Sequence, residues 1–272
     1  MPTVGDILLA IAPYVVTVLV TFAGFVIFGL SKQRKLLRLL GVDNNSRRVI
    51  VYLSSLLIPR DCAVGFDGLT RSYQGITIPI EELSISASLS KALTIDAFEN
   101  IPPIIRNPLR ERNAFFRPST VDVNASPMKE SDIDFRTRSI IAVGSQGYNV
   151  VTNYCTSRNL CQLQIANNGS EIHIVKGKHQ GEIIRRASNQ HDIAILEKVV
   201  DQTQNGTTII IGAGLGVIGT MGAIQYLMDH WQELDKAYAK REFALVLQFG
   251  PVGTQPLQEV LKGNVVRRMP EN

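Results

Sequence analysis

The sequence predicts an α/β protein: a largely parallel sheet with flanking helices, preceded by one N-terminal transmembrane helix. Three observations carry that reading. Residues Ile7 to Leu30 hold no charged side chain, several β-branched apolar runs end directly in glycine-rich turns, and helical segments follow those turns. The 272 residues are enough for a sizeable core. A hydrophobic content of 45% with 19% charged residues excludes a largely disordered chain. The net charge of +4 is local, because Lys32, Arg34, Lys35, Arg38, Arg47 and Arg48 against Asp6 and Asp43 already account for it. The rest of the chain is neutral, so no nucleic-acid-binding face is expected.

The first element is ILLAIAPYVVTVLVTFAGFVIFGL, 24 uncharged residues. As a helix it reaches about 36 Å, enough for a hydrocarbon core of about 30 Å. Pro13 and Gly24 are tolerated in membrane helices. No basic residue precedes the run and no A-x-A-like site follows, so it reads as a span and not as a cleaved signal. The basic stretch SKQRKLLR comes directly after it. Positive residues stay inside, so the N-terminus is expected outside, with the main domain cytoplasmic on a cell membrane crossed once. Residues 1–31 form the span and its flank, and 32–47 a basic juxtamembrane linker closed by the turn-forming Gly41–Ser46.

Residues 48–272 read as the α/β domain. Arg48–Leu53 is a buried strand, and Pro59–Gly75 is turn-rich. Pro79-Ile80-Glu81-Glu82 starts a helix that runs to about Leu93. The prolines and arginines of 101–118 mark a loop or insertion, with an internal boundary placed at 101–136. Thr137–Val143 is a strand, followed by a turn at Gly144–Asn149 and a short helix. Leu160–Ile165 and Glu171–Val175 form a hairpin around Asn167-Asn168-Gly169. Asp192–Leu196 and Thr207–Ile211 are strands, Val217–Ala239 a helix, and Phe243–Phe249 a closing strand. Near-continuous apolar strands flanked by helices indicate a largely parallel sheet. Thr207–Met228 is also long and uncharged enough for a second span. Its opening Thr-Thr-Ile-Ile-Ile and the basic residues that follow favour a strand instead.

The three cysteines, Cys62, Cys155 and Cys161, have neither disulfide-framework nor zinc spacing, so reduced buried thiols and no metal are expected. The four histidines are scattered, and none stands beside an evident nucleophile. No P-loop, H-E-x-x-H, G-x-S-x-G or kinase signature occurs.

Two glycine turns carry the readable chemistry. Ligands of open α/β sheets sit beyond the carboxyl ends of the strands, where glycine permits close approach and a helix N-terminus favours phosphate. The candidate ligand-binding residues are Gly144, Ser145, Gly147 and Asn149 in the first turn. In the second they are Gly212, Gly214, Gly216, Gly219 and Thr220. Gly214-x-Gly216-x-x-Gly219 has dinucleotide-fingerprint spacing, but the next strand ends without the acidic residue that holds a ribose. The expected ligand is therefore a nucleotide-type molecule rather than NAD. Asp67, Glu81, Glu82 and Asp192 are the carboxylates nearest strand ends or helix starts, and are the catalytic candidates for cleaving a glycosidic bond.

The span, the turn IIAVGSQGYN and the turn TTIIIGAGLGVIGT resemble the membrane-anchored Rossmann-like sensors and effectors of bacterial antiviral signalling. The resemblance is architectural and covers the span and roughly residues 137–250. It implies a cytoplasmic domain that detects a nucleotide messenger and a membrane helix that oligomerises or perturbs the bilayer. The implied partners are the lipid bilayer, a nucleotide ligand and further copies of the chain. Two other classes remain open: a membrane-tethered enzyme acting on a nucleotide or its glycosidic bond, and an anchored protein-interaction scaffold.

Overall fold

The computed structural model describes residues 4–42, 47–57, 63–64, 70–71, 76–94, 107–108, 111, 119–166, 169–186, 188, 191–251 and 264–268. Helix α1 (Val4–Leu40) is one continuous element in which two chemistries meet. Its first part exposes Tyr14, Val18, Ile27 and Phe28, and it is long and apolar enough to cross a membrane. Its last turns are different. Leu36, Leu37, Leu39 and Leu40 are buried, and the helix ends in a Schellman motif with Val42 N–H donating to Leu37 O and Gly41 N–H to Arg38 O. Gly41 has φ +68°, and a Cβ there would lie 1.9 Å from Thr208 Oγ1. The segment expected as a linker is therefore helical through Leu40 and packs into the domain, because its leucines recur at helical spacing.

The main sheet has seven strands. In chain order these are β1 (Arg48–Leu53), β6 (Thr120–Ala125), β7 (Ser139–Val143), β11 (Asp192–Asp201), β12 (Thr207–Gly214), β13 (Phe243–Phe249) and β14 (Asn264–Arg268). Four two-residue strands lie between β1 and β6: β2 (Leu56–Leu57) pairs β5 (Ile76–Thr77), and β3 (Ala63–Val64) pairs β4 (Thr70–Arg71). Helix α2 (Ile80–Leu93) follows them. Helix α3 (Val150–Ser157) and an antiparallel meander of β8 (Leu163–Ala166), β9 (Glu171–Ile174) and β10 (Ile183–Arg185) come between β7 and β11. Helix α4 (Val217–Tyr238) joins β12 to β13.

The order across the sheet is β14-β13-β11-β12-β7-β1-β6. Strands β6, β1, β7 and β12 are mutually parallel, β11 and β14 run the other way, and β13 runs with the first four. The sheet is thus largely parallel, as the apolar runs indicated. Two features escaped the pattern. Glu197-Lys198 interrupts the apolar run of β11, which extends through them to Asp201 and forms an antiparallel pair with β12. Strand β6 is an edge strand beside β1, so residues 120–125 belong to the main sheet. Residues 207–228 form β12, the turn after it and the first half of α4, all parts of the α/β fold.

Both faces of the sheet are covered. Val49, Val51 and Leu53 point with Ile141 and Val143 toward the end of α1, α2 and α4. Their neighbours Ile50, Tyr52, Ile140 and Ala142 point toward α3 and the meander. Side-chain direction alternates along each strand, so burial on two faces demands an unbroken apolar run. Cys155 and Cys161 are buried thiols on the α3 side, and Cys62 lies outside the described residues.

Candidate functional site

Chain order and sheet order part company at β1. The chain passes from β1 to the edge strand β6, then returns to the other side of β1 as β7. A crevice opens where the connections diverge, beyond the carboxyl ends of the strands. A cavity of about 990 Å³ occupies that position. Its floor is the ends of β1, β7 and β12 at Ser54, Gly144 and Gly214. Pro79 and Glu82 of the α2 start form one wall, Gln164, Ile165 and Ala166 of the meander another, and Gly216, Val217 and Thr220 of the α4 start a third.

The first turn is built around two residues. Gly144 has φ +111°, and a Cβ there would lie 1.9 Å from Ser54 Oγ, so glycine is required for the strand to turn against β1. Asn149 caps α3, its Oδ1 accepting from the N–H of Val151 at 2.9 Å and of Thr152 at 3.3 Å. Its Nδ2 donates to Tyr52 O at 2.8 Å and Val143 O at 3.0 Å. Asn149 is buried and engaged within the protein, clamping β1, β7 and α3 together. Ser145 and Gly147, by contrast, line the cavity, as does the half-exposed Tyr148, and Gly147 has open space around it.

The second turn is shaped by close packing. A Cβ on Gly212 would lie 2.5 Å from Ile224 Cδ1, and one on Gly214 2.3 Å from Thr220 N. Gly219 N–H, in the first turn of α4, donates to Asp192 Oδ2 at 2.7 Å. Asp192 is buried and also paired with Arg186 at 3.0 Å. An internal carboxylate thus occupies the place a phosphate takes at such a helix start. Thr220 Oγ1 accepts from Gly214 N–H at 3.0 Å and donates to Gly216 O at 3.1 Å. Gly214, Gly216 and Thr220 face the cavity, while Gly212 and Gly219 hold α4 against the sheet.

The carboxylate candidates separate clearly. Glu81 is exposed, Asp192 accepts the Gly219 N–H in the first turn of α4, and Asp67 lies outside the described residues. Glu82 is 5% exposed, lines the cavity, and accepts Ser54 N–H through Oε2 at 2.8 Å. Burial pushes its carboxyl above the usual range, opposed by the hydrogen bonds from Ser54. Pattern reading passed over Ser54, Tyr148 and the meander wall. Ser54 was legible from the strand-end rule, whereas nothing local signals that Gln164 reaches the cleft. Among the described residues lining the cleft none is cationic.

Comparison with protein-family models, with curated proteins and with solved structures finds no match to this chain.

Proposed function

We propose that the chain is a single-pass membrane protein whose Rossmann-like domain binds a nucleotide-type small molecule and acts as a sensor or effector. The observation that carries this reading is the cleft at the point where strand order reverses, walled by two glycine turns and two helix starts. Helix α1 is the span, with the exposed Lys32, Arg34 and Lys35 on the cytoplasmic side. Helix α4 supplies the route between them. It starts at the cleft, and near its other end Asp235 takes a two-pronged ion pair from Arg38 of α1, Nε to Oδ1 at 2.8 Å and Nη2 to Oδ2 at 2.5 Å. Self-association of α1 is the output.

Thermal unfolding of the full chain in detergent micelles, against nucleosides, nucleotides and cyclic dinucleotides, tests it. A ligand at about 100 times its Kd adds roughly 2.7 kcal/mol to stability. A cooperatively folded protein that no nucleotide-type ligand stabilises would remove this reading.

One observation favours a second reading, a tethered enzyme cleaving a nucleoside bond. Glu82 is a buried carboxyl of raised proton affinity facing the cavity, a placement suited to a general acid or base. Chromatography of bound nucleosides after incubation with wild type and Glu82→Ala decides it. Release of free base by wild type alone supports the enzyme, and an intact ligand after prolonged binding rejects it.

A further inference from the structure

The two carboxylates nearest the cleft restrict what can enter it. Asp192 already holds Gly219 N–H at 2.7 Å and is itself paired with Arg186 at 3.0 Å, so a phosphate arriving at the α4 start finds that N–H already taken. Glu82 projects into the same cavity. Its Oε2 accepts Ser54 N–H, and its Oε1 faces the Gly144 turn, 3.8 Å from the position of a Cβ on that glycine. A carboxylate has about four lone-pair sites, so Glu82 keeps acceptor capacity directed into the cleft. Hydroxyl groups satisfy such an acceptor, whereas a phosphate repels it. Tyr148, 54% exposed, adds an aromatic face on the cavity lining.

We propose that the cleft takes the uncharged, hydroxyl-bearing part of its ligand, a nucleoside sugar, with Glu82 accepting hydrogen bonds from the sugar hydroxyls. This rests on the reading that the cleft binds a nucleotide-type ligand, and it assigns the end of that ligand that enters. Any phosphate stays outside the glycine turn after β12.

The test uses the full chain in micelles and isothermal titration with the four common ribonucleosides, their 5′-monophosphates and their 2′,3′-dideoxy analogues. At least one ribonucleoside is expected to bind within about threefold of its monophosphate. Its dideoxy analogue, and the same nucleoside on Glu82→Gln, are each expected to bind about tenfold or more weakly, the range for a hydrogen bond to a charged group. Monophosphate binding without nucleoside binding, or affinity unchanged in Glu82→Gln, overturns the assignment while leaving the nucleotide reading standing. Absence of binding by every nucleoside and monophosphate to the folded wild type overturns the assignment, and if cyclic dinucleotides also fail to bind, the nucleotide reading falls with it. Should Glu82→Gln fail to fold, Gly147→Leu carries the test, because Gly147 lines the cavity and a Cβ there meets nothing within 4 Å. That variant is expected to unfold cooperatively near the wild-type temperature and to lose nucleoside binding, and retained binding overturns the assignment.

Discussion

Two glycines three residues apart make opposite demands. Gly144 sits at φ +111° against Ser54, and Gly147 faces open space. Gly144→Ala is expected to destabilise the protein by about 2 kcal/mol or more, combining a strained backbone with a collision. Gly147→Ala should stay within about 0.5 kcal/mol of wild type. Paired thermal melts check both, and equal losses would show that the turn is not held against β1. Glu197 and Lys198 make a second residue-scale prediction. Burial raises Glu197 from 4.5 to about 8, opposed by the N–H groups of Gln162 at 2.5 Å and Leu163 at 3.4 Å. Burial lowers Lys198 from 10.5 to about 8, although its Nζ donates to Ala239 O at 2.8 Å at the end of α4. Folded Glu197 keeps a proton that the unfolded chain releases between pH 4.5 and 8, so its contribution to stability falls as pH rises through that window. Folded Lys198 sheds a proton that the unfolded chain keeps until 10.5, so its contribution recovers as pH rises from 8 to 10.5. The pair predicts a dip in stability near pH 8 in urea unfolding. Glu197→Gln should remove the slope on the acid side and leave the one on the basic side.

At the scale of elements, α1 has two parts of different chemistry. Its exposed apolar length is membrane-like in composition, and its last turns complete the core beside α4. Leu39 is fully buried, so Leu39→Ala should cost about 2–5 kcal/mol, as for any core leucine, even though it follows the basic stretch directly. A fragment beginning at Arg47 lacks Leu36, Leu37, Leu39 and Leu40 and should aggregate or melt well below one beginning at Lys32. Size-exclusion chromatography and melting of the two fragments decide the point. Comparable behaviour would show that the α1 leucines do not contribute to the domain. Strand β11 shows the same principle in a sheet. A Glu-Lys pair looks like a strand end in the sequence, yet both side chains are buried, one on each face, and each finds backbone partners there.

At the scale of the whole molecule, one sheet carries the end of α1, α2 and α4 on one face and α3 with the meander on the other, and the cleft opens along the carboxyl ends of its central strands. If α1 spans the bilayer with its basic flank inside, protease added to sealed cells should spare the domain, and protease added to inverted vesicles should digest it. Digestion in intact cells would reverse the proposed orientation. Because α4 runs from the cleft to Arg38, ligand binding should also change crosslinking between copies through α1. Breaking the pair with Asp235→Asn should weaken that change more than it weakens binding.

The sequence by itself determined what periodicity and composition encode. The uncharged run, strands at 48–53, 137–143, 207–211 and 243–249, the two principal helices and the two glycine turns were all legible, because each is a local pattern of apolar and turn-forming residues. The tertiary structure decided what depends on partners distant in the chain. It set Asp192 on the α4 start, withdrew Asn149 into an internal clamp, and chose Glu82 over Glu81 and Asp192 as the carboxyl facing the cleft. It also drew the end of α1 into the core. Whether a carboxylate caps a helix, clamps a turn or meets a ligand is settled by which N–H groups lie within about 3 Å, and that distance is fixed by packing, not by spacing along the chain.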